Sequence, residues 1–539
     1  MYNTIIIGSG ISGIFTLKHL LEEGENNIIV LDKNPEMFGV WNRNNTPSVF
    51  DDTYTVSSKL YMTISDFPLP KEMPEFPHHS LILNYYKEYA KHFNLIRYVQ
   101  QNTSVNSIKK IDNLWRINTN RGTYECKNVV IATGTVNDCP NIPNDNFYKK
   151  FTGTMMHSNE FDTIKNVINK KILIVGGSDT AVDCALFLKD NNNITVSIKN
   201  GVWFQNRNLG AYEPADMLYN RSIDFLLKNI FQKKFMTKRI DPYKFNNVQF
   251  VWGEGGSGID IWKPKCEYLN SYYVKSRDII DQIAKGTIEP QNEIINIDKQ
   301  NITFKSGKTE SYDIILFCTG YKPLKCMNFL QHDIIDSIKY KHIFCINDPT
   351  VSFVGFIRPY LTSIPMISEM QSRWIAKYIC GKCNLPSQQI MKKESIQDDK
   401  KQEKEFPCSY NRLKTIIDPY DYMNMVSYKI GADINILIEF IKDPDLVYSI
   451  LFDSYNHHVY RLNDTTEKRN IAIENIKEIS KLTISKKIKN VFYRSFMSYV
   501  YIIIFSIILI FLLYKLFITN KNDIKKLIKM FKKIKLMFK

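Results

Sequence analysis

The sequence is poor in the features that most enzyme classes need. Its 539 residues hold 10 cysteines without a repeated spacing, so no disulfide framework is expected and a reducing, cytosol-facing setting is. No H-E-x-x-H, no G-x-S-x-G and no pair of C-x-x-C motifs occurs, which removes the common zinc and nucleophile-elbow hydrolases and implies no metal. The single Cys380-Gly381-Lys382-Cys383 has no second half and reads as two incidental thiols. No repeat of solenoid period appears. No signal peptide precedes the first apolar run, Thr4 to Ile7. Acids are scarce at one end only: residues 481–539 carry 14 Lys or Arg against one acid, leaving 57 basic and 54 acidic side chains in the first 480. The net charge of +16 thus belongs to the tail, and a nucleic-acid partner for the body loses its support.

Hydrophobic residues at 44% and charged residues at 23% are ordinary for a chain that folds in water, which excludes wholesale disorder and a polytopic membrane protein. At roughly 150 residues per domain the length suits three to four domains. The one long uncharged run, Ser495 to Tyr514 between Arg494 and Lys515, would span about 30 Å as a helix and is expected to cross a membrane once. Beyond it, Ile524, Leu527, Ile528, Phe531 and Ile534 recur at helical spacing among lysines. That is the pattern of a basic amphipathic helix on an anionic membrane surface, with a partner-binding helix as the other reading. Lysines on the two flanks of the span nearly balance and give no orientation; the lack of a signal peptide favours a body facing the cytosol, as on an endoplasmic reticulum-like membrane.

Within the body, Ile5 to Ile7, Ile28 to Leu31, Val129 to Ala132, Ile172 to Val175, Ile194 to Ile198 and Ile314 to Phe317 are short apolar runs, often followed by glycine. Buried parallel strands read this way. Helical patterns follow at Ile11 to Glu23 and Thr180 to Lys189, so the expected class is α/β with two Rossmann-like dinucleotide-binding units. Met391 to Glu405 is rich in Lys, Glu, Asp and Gln and reads as a solvated helix face or connector.

Two glycine loops carry the chemistry. In Gly8-Ser9-Gly10-Ile11-Ser12-Gly13, Gly8 makes the tight turn, Gly10 lets a pyrophosphate approach the backbone, and Gly13 allows close helix–strand packing. Asp32, closing the next strand, is placed to accept from a ribose hydroxyl. In Gly176-Gly177-Ser178-Asp179-Thr180-Ala181, Ser and Ala replace the second and third glycines. No acid ends the following strand; Lys199 lies there and Arg207 shortly after, and cations at that place suit a 2′-phosphate, so NADPH is expected over NADH.

Phe151-Thr152-Gly153-Thr154-Met155-Met156-His157-Ser158-Asn159-Glu160-Phe161 lies between these loops and resembles the FxGxxxHxxx(Y/F) fingerprint of flavin-containing monooxygenases. Phe38-Gly39-Val40-Trp41 resembles that family's GGxW segment beside the flavin, Ser65-Asp66-Phe67-Pro68 its SDFP segment, and Phe317-Cys318-Thr319-Gly320-Tyr321 its ATGY strand end. Pro365 to Trp374 looks like its helix with an ELQxRW core. The resemblance runs from residue 3 to about 430, and the hydrophobic C-terminus is similar to the anchor of microsomal members.

The resemblance implies a split FAD domain, 1–150 and 312–400, with an NADPH domain, 151–311, inserted, an extension at 401–480, the span at 495–514 and the basic tail at 515–539. It implies that NADPH reduces FAD, that O2 forms a C4a-hydroperoxide on the flavin, and that one oxygen passes to a soft nitrogen or sulfur nucleophile. Cofactor-binding residues implied in this way are Gly8 to Gly13, Asp32, Val40, Trp41, Gly176 to Ala181, Lys199, Arg207, Thr319 and Gly320. His157 is expected to join the linker to the NADPH domain, not to act as acid or base; His78-His79 and His457-His458 are expected on loops or the surface.

One departure bears on the chemistry. Where many members carry an active-site Asn, this chain has Val56, followed by Ser57 and Ser58. Valine cannot hydrogen-bond, so either Ser57 or Ser58 substitutes, or the oxygenating species is less well protected and peroxide leaks. The alternatives left open are an NADPH oxidase releasing hydrogen peroxide, a Baeyer–Villiger type oxygenase, which the position of Phe161 disfavours, and a membrane-tethered flavoprotein without turnover.

Overall fold

The computed structural model describes residues 1–482 apart from 47, 137–138, 144–145, 206, 210–212, 223, 226–258, 263, 265–271, 277, 323–326, 336–337 and 410–412. Residues 1–479 form one compact unit. It is built on two sheets. In the first, Tyr2–Ile7 pairs in parallel with Ile28–Leu31 on one side and Gly122–Ile131 on the other, with Ile7 opposite both Leu31 and Ile131. Val351–Phe353 adds in parallel to Gly122–Ile131, so the chain returns to this sheet after more than two hundred residues elsewhere. The second sheet is parallel throughout, in the order Ile288–Gln291, Asn193–Ser197, Lys171–Val175, Ile314–Phe317, Thr154–His157.

These strands lack alternation because both faces are covered. Ile6, Val30 and Val130 point into one apolar layer, while Ile5, Ile7, Leu31, Val129 and Ile131 point into the layer opposite. The second sheet does the same, with Ile172, Ile174 and Leu316 on one side and Leu173, Ile315 and Phe317 on the other.

The boundary expected at residue 312 moves. Ile314–Phe317 lies at the heart of the second sheet, paired with Lys171–Val175 and Thr154–His157, so Thr319 and Gly320 belong beside the second glycine loop. A single apolar run followed by glycine suits either sheet, and only the pairing register decides. The cysteines also differ from expectation: Cys139 and Cys408 each take part in a disulfide, while Cys126, Cys184, Cys318, Cys345, Cys380 and Cys383 are free. Sequence spacing carries no record of which thiols tertiary folding brings together. The acidic and basic stretch after residue 388 forms the helix Gln388–Glu405, buried at Met391 and Ser395. The expected membrane span and the tail after it lie outside the described residues, among which no helix is long and apolar enough to cross a membrane.

The extension docks through a buried knot of charge. Arg461 donates from Nε to Ser65 Oγ (2.7 Å) and pairs with Asp66 (3.0 Å), Glu369 (3.3 Å) and Asp464 (2.9 Å). Lys18, on the helix of the first glycine loop, pairs with Glu22 at 2.7 Å and with Asp66. Glu369 also accepts from Ser65 N (3.0 Å) and meets His457 Nε2 at 2.8 Å. His457 and His458 are therefore not surface residues: they are 0% and 1% exposed. A polar pair near a chain end reads as solvated unless its partners, here 88 residues or more away, are known.

Removing one member of such a network strands the others without solvent. Arg461→Met should lower stability by about 3–5 kcal/mol, read as a fall in the thermal midpoint of the full chain. Burial, and after it the neighbouring His457, holds the His458 imidazole down to about 3. Below the ordinary histidine value the unfolded chain binds a proton that the fold refuses, so stability declines as pH drops from about 6.5, by up to about 1.4 kcal/mol per pH unit. His458→Asn should flatten the dependence of the midpoint on pH between 6.5 and 5; an unchanged slope would assign the acid sensitivity elsewhere.

Candidate active site

The first glycine loop forms because two backbone positions, Gly8 and Gly13, exclude a side chain. Gly8 has φ +106° and a Cβ there would lie 2.5 Å from Ala132 O; a Cβ on Gly13 would lie 2.0 Å from Gly8 O. Gly10 caps the helix Ile11–Glu22 with extended backbone and no side-chain hydrogen bond. The first-turn N–H groups are thus left for a ligand, the arrangement that receives phosphate. Asp32 accepts from Ser9 N (2.6 Å), Ser9 Oγ (2.7 Å) and Asn34 N (2.8 Å), which fixes the carboxylate against the loop. Each carboxylate oxygen has two acceptor sites, so room for a ribose hydroxyl remains.

A cavity of about 640 Å³ runs from this loop and is lined by Gly8, Gly10, Ile11, Ser12, Asp32, Val40, Trp41, Val56 and Ser57. Ser9 and Gly13 support it from behind the lining. Phe38, where the resembling motif has glycine, lies beside it at φ 77°, an uncommon conformation for a bulky residue. Thr55, Thr133 and Thr362 line the same cavity, and each carries a buried hydroxyl without a hydrogen-bond partner among the described residues. Three orphaned hydroxyls, an uncapped helix and a fixed carboxylate fit a polar dinucleotide such as FAD.

Val56 faces this cavity without a donor to offer. Ser57 is committed: its Oγ donates to Thr362 O (3.0 Å) and accepts from Lys275 Nζ (2.9 Å). Ser58 is fully buried outside the lining, with its N–H donated to Asp216 Oδ2 at 2.8 Å.

The second loop repeats the steric logic. Gly176 has φ +137°, and a Cβ there would lie 2.4 Å from Cys318 O; one on Gly177 would touch Ile198. Ser178 caps the helix Asp179–Leu188, accepting from Ala181 N at 3.4 Å, a long bond that a ligand can displace. Asp179 turns away to accept from Lys275 N (2.9 Å), and Arg207 Nε donates to Lys275 O (3.2 Å). Lys199 is 67% exposed and pairs with Glu293 at 2.7 Å, a surface contact weak enough to be exchanged for phosphate. Ala181 is buried under the loop, and Thr180 follows Asp179 in the helix's first turn.

Thr319 and Gly320 are absent from the main cavity. Thr319 Oγ1 donates to Asn141 O (2.5 Å), and Gly320 O meets His157 Nε2 at 3.0 Å. His157 caps the turn Ser158–Glu160 and packs edge-on to Tyr321, with burial as the main cause lowering its pKa. Sequence reading missed Lys275, Asp216, Arg358 and Thr362. No motif surrounds them; they reach the site by tertiary folding, and no periodic signal would have found them.

The described geometry has matches among known proteins. The family model described as FMO-like, flavin-binding monooxygenase-like, matches residues 2–518. The N-oxide-forming dimethylaniline monooxygenase 2 of Cavia porcellus is 26% identical over 482 residues, covering 85% of this chain and 88% of that protein. In fold, the chain is similar to S-allyl-L-cysteine S-oxygenase from Allium sativum, with TM-score 0.56 and 18% identity over 89% of this chain and 98% of that one. It is also similar to NADP+-bound cyclohexanone monooxygenase from Rhodococcus sp. Phi1, with TM-score 0.58 and 16% identity over 80% of this chain and 97% of that one.

The two inner glycines of the first loop predict opposite phenotypes. A side chain at Gly10 meets nothing closer than 3.9 Å, so Gly10→Val should leave the stability of the ligand-free chain within about 1 kcal/mol yet abolish bound flavin absorbance. Gly13→Ala, driven into Gly8 O, should lower both.

Proposed function

The chain belongs to the flavin-binding monooxygenase-like family, and from that premise we propose that it uses NADPH and FAD to place one atom of O2 on a soft nitrogen or sulfur nucleophile. It is a flavin monooxygenase, an oxidoreductase that takes FAD and NADPH. The observation that carries the substrate reading is the single cavity joining the first glycine loop to Val56 and Ser57, with the second loop one hydrogen bond away through Asp179 and Lys275. Names of relatives point the same way: one forms N-oxides and one neighbour oxygenates sulfur.

Bound FAD, reduced by NADPH, supplies the electrons that activate O2. The chain does the rest. The N–H groups after Gly10 would hold the pyrophosphate, Asp32 would accept from the ribose, and Thr55, Thr133 and Thr362, whose hydroxyls lack protein partners among the described residues, would donate to polar atoms of the group. Val40 and Trp41, in the cavity lining, would pack beside the ring system. At the second loop, Gly176 and Gly177 would admit NADPH, with Ser178 to Ala181 opening the helix there, and Lys199 and Arg207 would supply charge for its 2′-phosphate. Val56 would present an apolar surface, with no hydrogen-bond donor, to whatever occupies the cavity beside it.

That same residue favours a second reading, release of hydrogen peroxide, because no side-chain donor at its position guards the activated oxygen. Oxygen uptake, S-oxide formed from a thioether, lactone formed from a cyclic ketone, and peroxide should be measured together on the FAD-loaded full chain. S-oxide in excess of lactone and peroxide supports the proposal; peroxide equal to the NADPH consumed supports the oxidase. Val56→Asn should cut the peroxide share about threefold; equal leakage in both proteins would remove this position from the argument.

We also propose that Ser495 to Tyr514 anchors the protein in an endoplasmic reticulum-like membrane with residues 1–482 facing the cytosol, on the strength of the uncharged run and the lysines beyond it. Full-length chain should stay in the membrane pellet after alkaline carbonate washing, and a chain ending at residue 482 should not; release of both would refute the anchor.

A further inference from the structure

Lys275 belongs to neither glycine motif, yet it is tied to both halves of the site. Its backbone N–H donates to Asp179 Oδ1 at 2.9 Å and its carbonyl accepts from Arg207 Nε at 3.2 Å, so its main chain is fixed to the second dinucleotide loop. Its side chain runs the other way and donates from Nζ to Ser57 Oγ at 2.9 Å, beside Val56 in the wall of the main cavity. The residue is 8% exposed. Among the described residues Ser57 is the hydrogen-bond partner of the amine, and an ammonium has three donors. Two N–H groups are thus free for whatever occupies the cavity.

We propose that the ε-ammonium group of Lys275, fixed between the two dinucleotide loops and aimed at the reacting end of the cavity, is the positive charge that stabilises the reduced flavin. The inference rests on the reading of this cavity as an FAD site. NADPH gives up two electrons and one proton and becomes NADP+; the flavin accepts all three and gains one unit of negative charge. A fixed cation within the same water-poor cavity lowers the energy of that charged form and leaves the neutral oxidised ring nearly unaffected. This is also a role that Val56 cannot fill.

The charged groups around the amine are Asp216 and Asp179 on one side of the balance and Arg358 and Arg207 on the other. Burial pushes the amine below the ordinary lysine value, with the two arginines acting in the same direction and the two aspartates against it. Burial likewise raises Asp216, against the pull of Lys275. With its pKa held below the ordinary lysine value, the amine loses its proton on the alkaline side sooner than a surface lysine does.

The test is the midpoint potential of bound flavin in the full chain, titrated anaerobically against a reference dye, beside the dissociation constant of oxidised FAD. Lys275→Met should reduce the equilibrium constant for two-electron reduction about tenfold, a potential lower by about 30 mV, with FAD affinity changed less than about threefold. Lys275→Arg, which keeps the charge, should restore most of the shift, and Lys275→Gln, run in case methionine packs poorly, should match Lys275→Met. Wild-type potential should also fall more steeply with rising pH than that of the methionine variant, over the range in which the amine deprotonates. If a neutral variant holds FAD with an unchanged potential and pH slope, the proposal is overturned while the FAD reading stands. If the wild-type chain takes up no FAD, or NADPH does not bleach it, both fall together.

Discussion

The buried pairing of Arg461 with Asp66 and Glu369 is the constraint around which the FAD side of the molecule is arranged. These groups come from the C-terminal extension, the segment before the cavity and the helix Ile364–Ile379, and Lys18 brings in the helix of the first glycine loop. Each charge alone would be expensive to hold away from water; together, with Ser65 and His457 filling remaining hydrogen-bonding positions, they are mutually satisfied. The consequence reaches the site. The helix that follows the first glycine loop is clamped along its length, also by Ser12–Ser368 and Thr16–Ser372 contacts of 2.9 and 3.0 Å. The extension thereby braces the glycine-loop helix, with Arg461 and Lys468 both pairing with Glu22 at its end.

A second junction holds the two dinucleotide units in register. Asp179 opens the helix of the second loop and spends its carboxylate on the backbone of Lys275, whose side chain ends at Ser57. Ser57 in turn is fixed to Thr362, next to the N-cap of the helix that carries Glu369. Hydride transfer requires two rings held at a defined separation, and this chain of hydrogen bonds connects the walls that would hold them. The group placed at the junction is the Lys275 amine, donating to Ser57 in the cavity wall.

Much of the architecture could be read before any coordinates. The apolar runs without alternation became strands buried on both faces, and the positions of Gly8, Gly13 and Gly176 have the steric reasons expected of them. What failed to be read has a common cause. His457 and His458 looked like surface residues, Ile314–Phe317 was assigned to the wrong side of a boundary, and Lys275, Asp216 and Arg358 drew no notice. Each owes its role to a partner distant in sequence: Glu369 for His457, Ser65 for His458, Val175 for the strand, and Ser57, Ser58 and Tyr272 for Lys275, Asp216 and Arg358.

The sequence by itself determined the class of fold, the two dinucleotide loops and the family, because each is encoded in residues within one strand–turn–helix unit, where sterics and hydrophobic period act over a few positions. Tertiary structure alone decided which strand closes which sheet, how the extension clamps the glycine helix, and which amine reaches Ser57 in the cavity wall. Those depend on contacts between segments hundreds of residues apart, and the energies that choose them, burial of charge and satisfaction of hydrogen bonds, have no local signature in the chain.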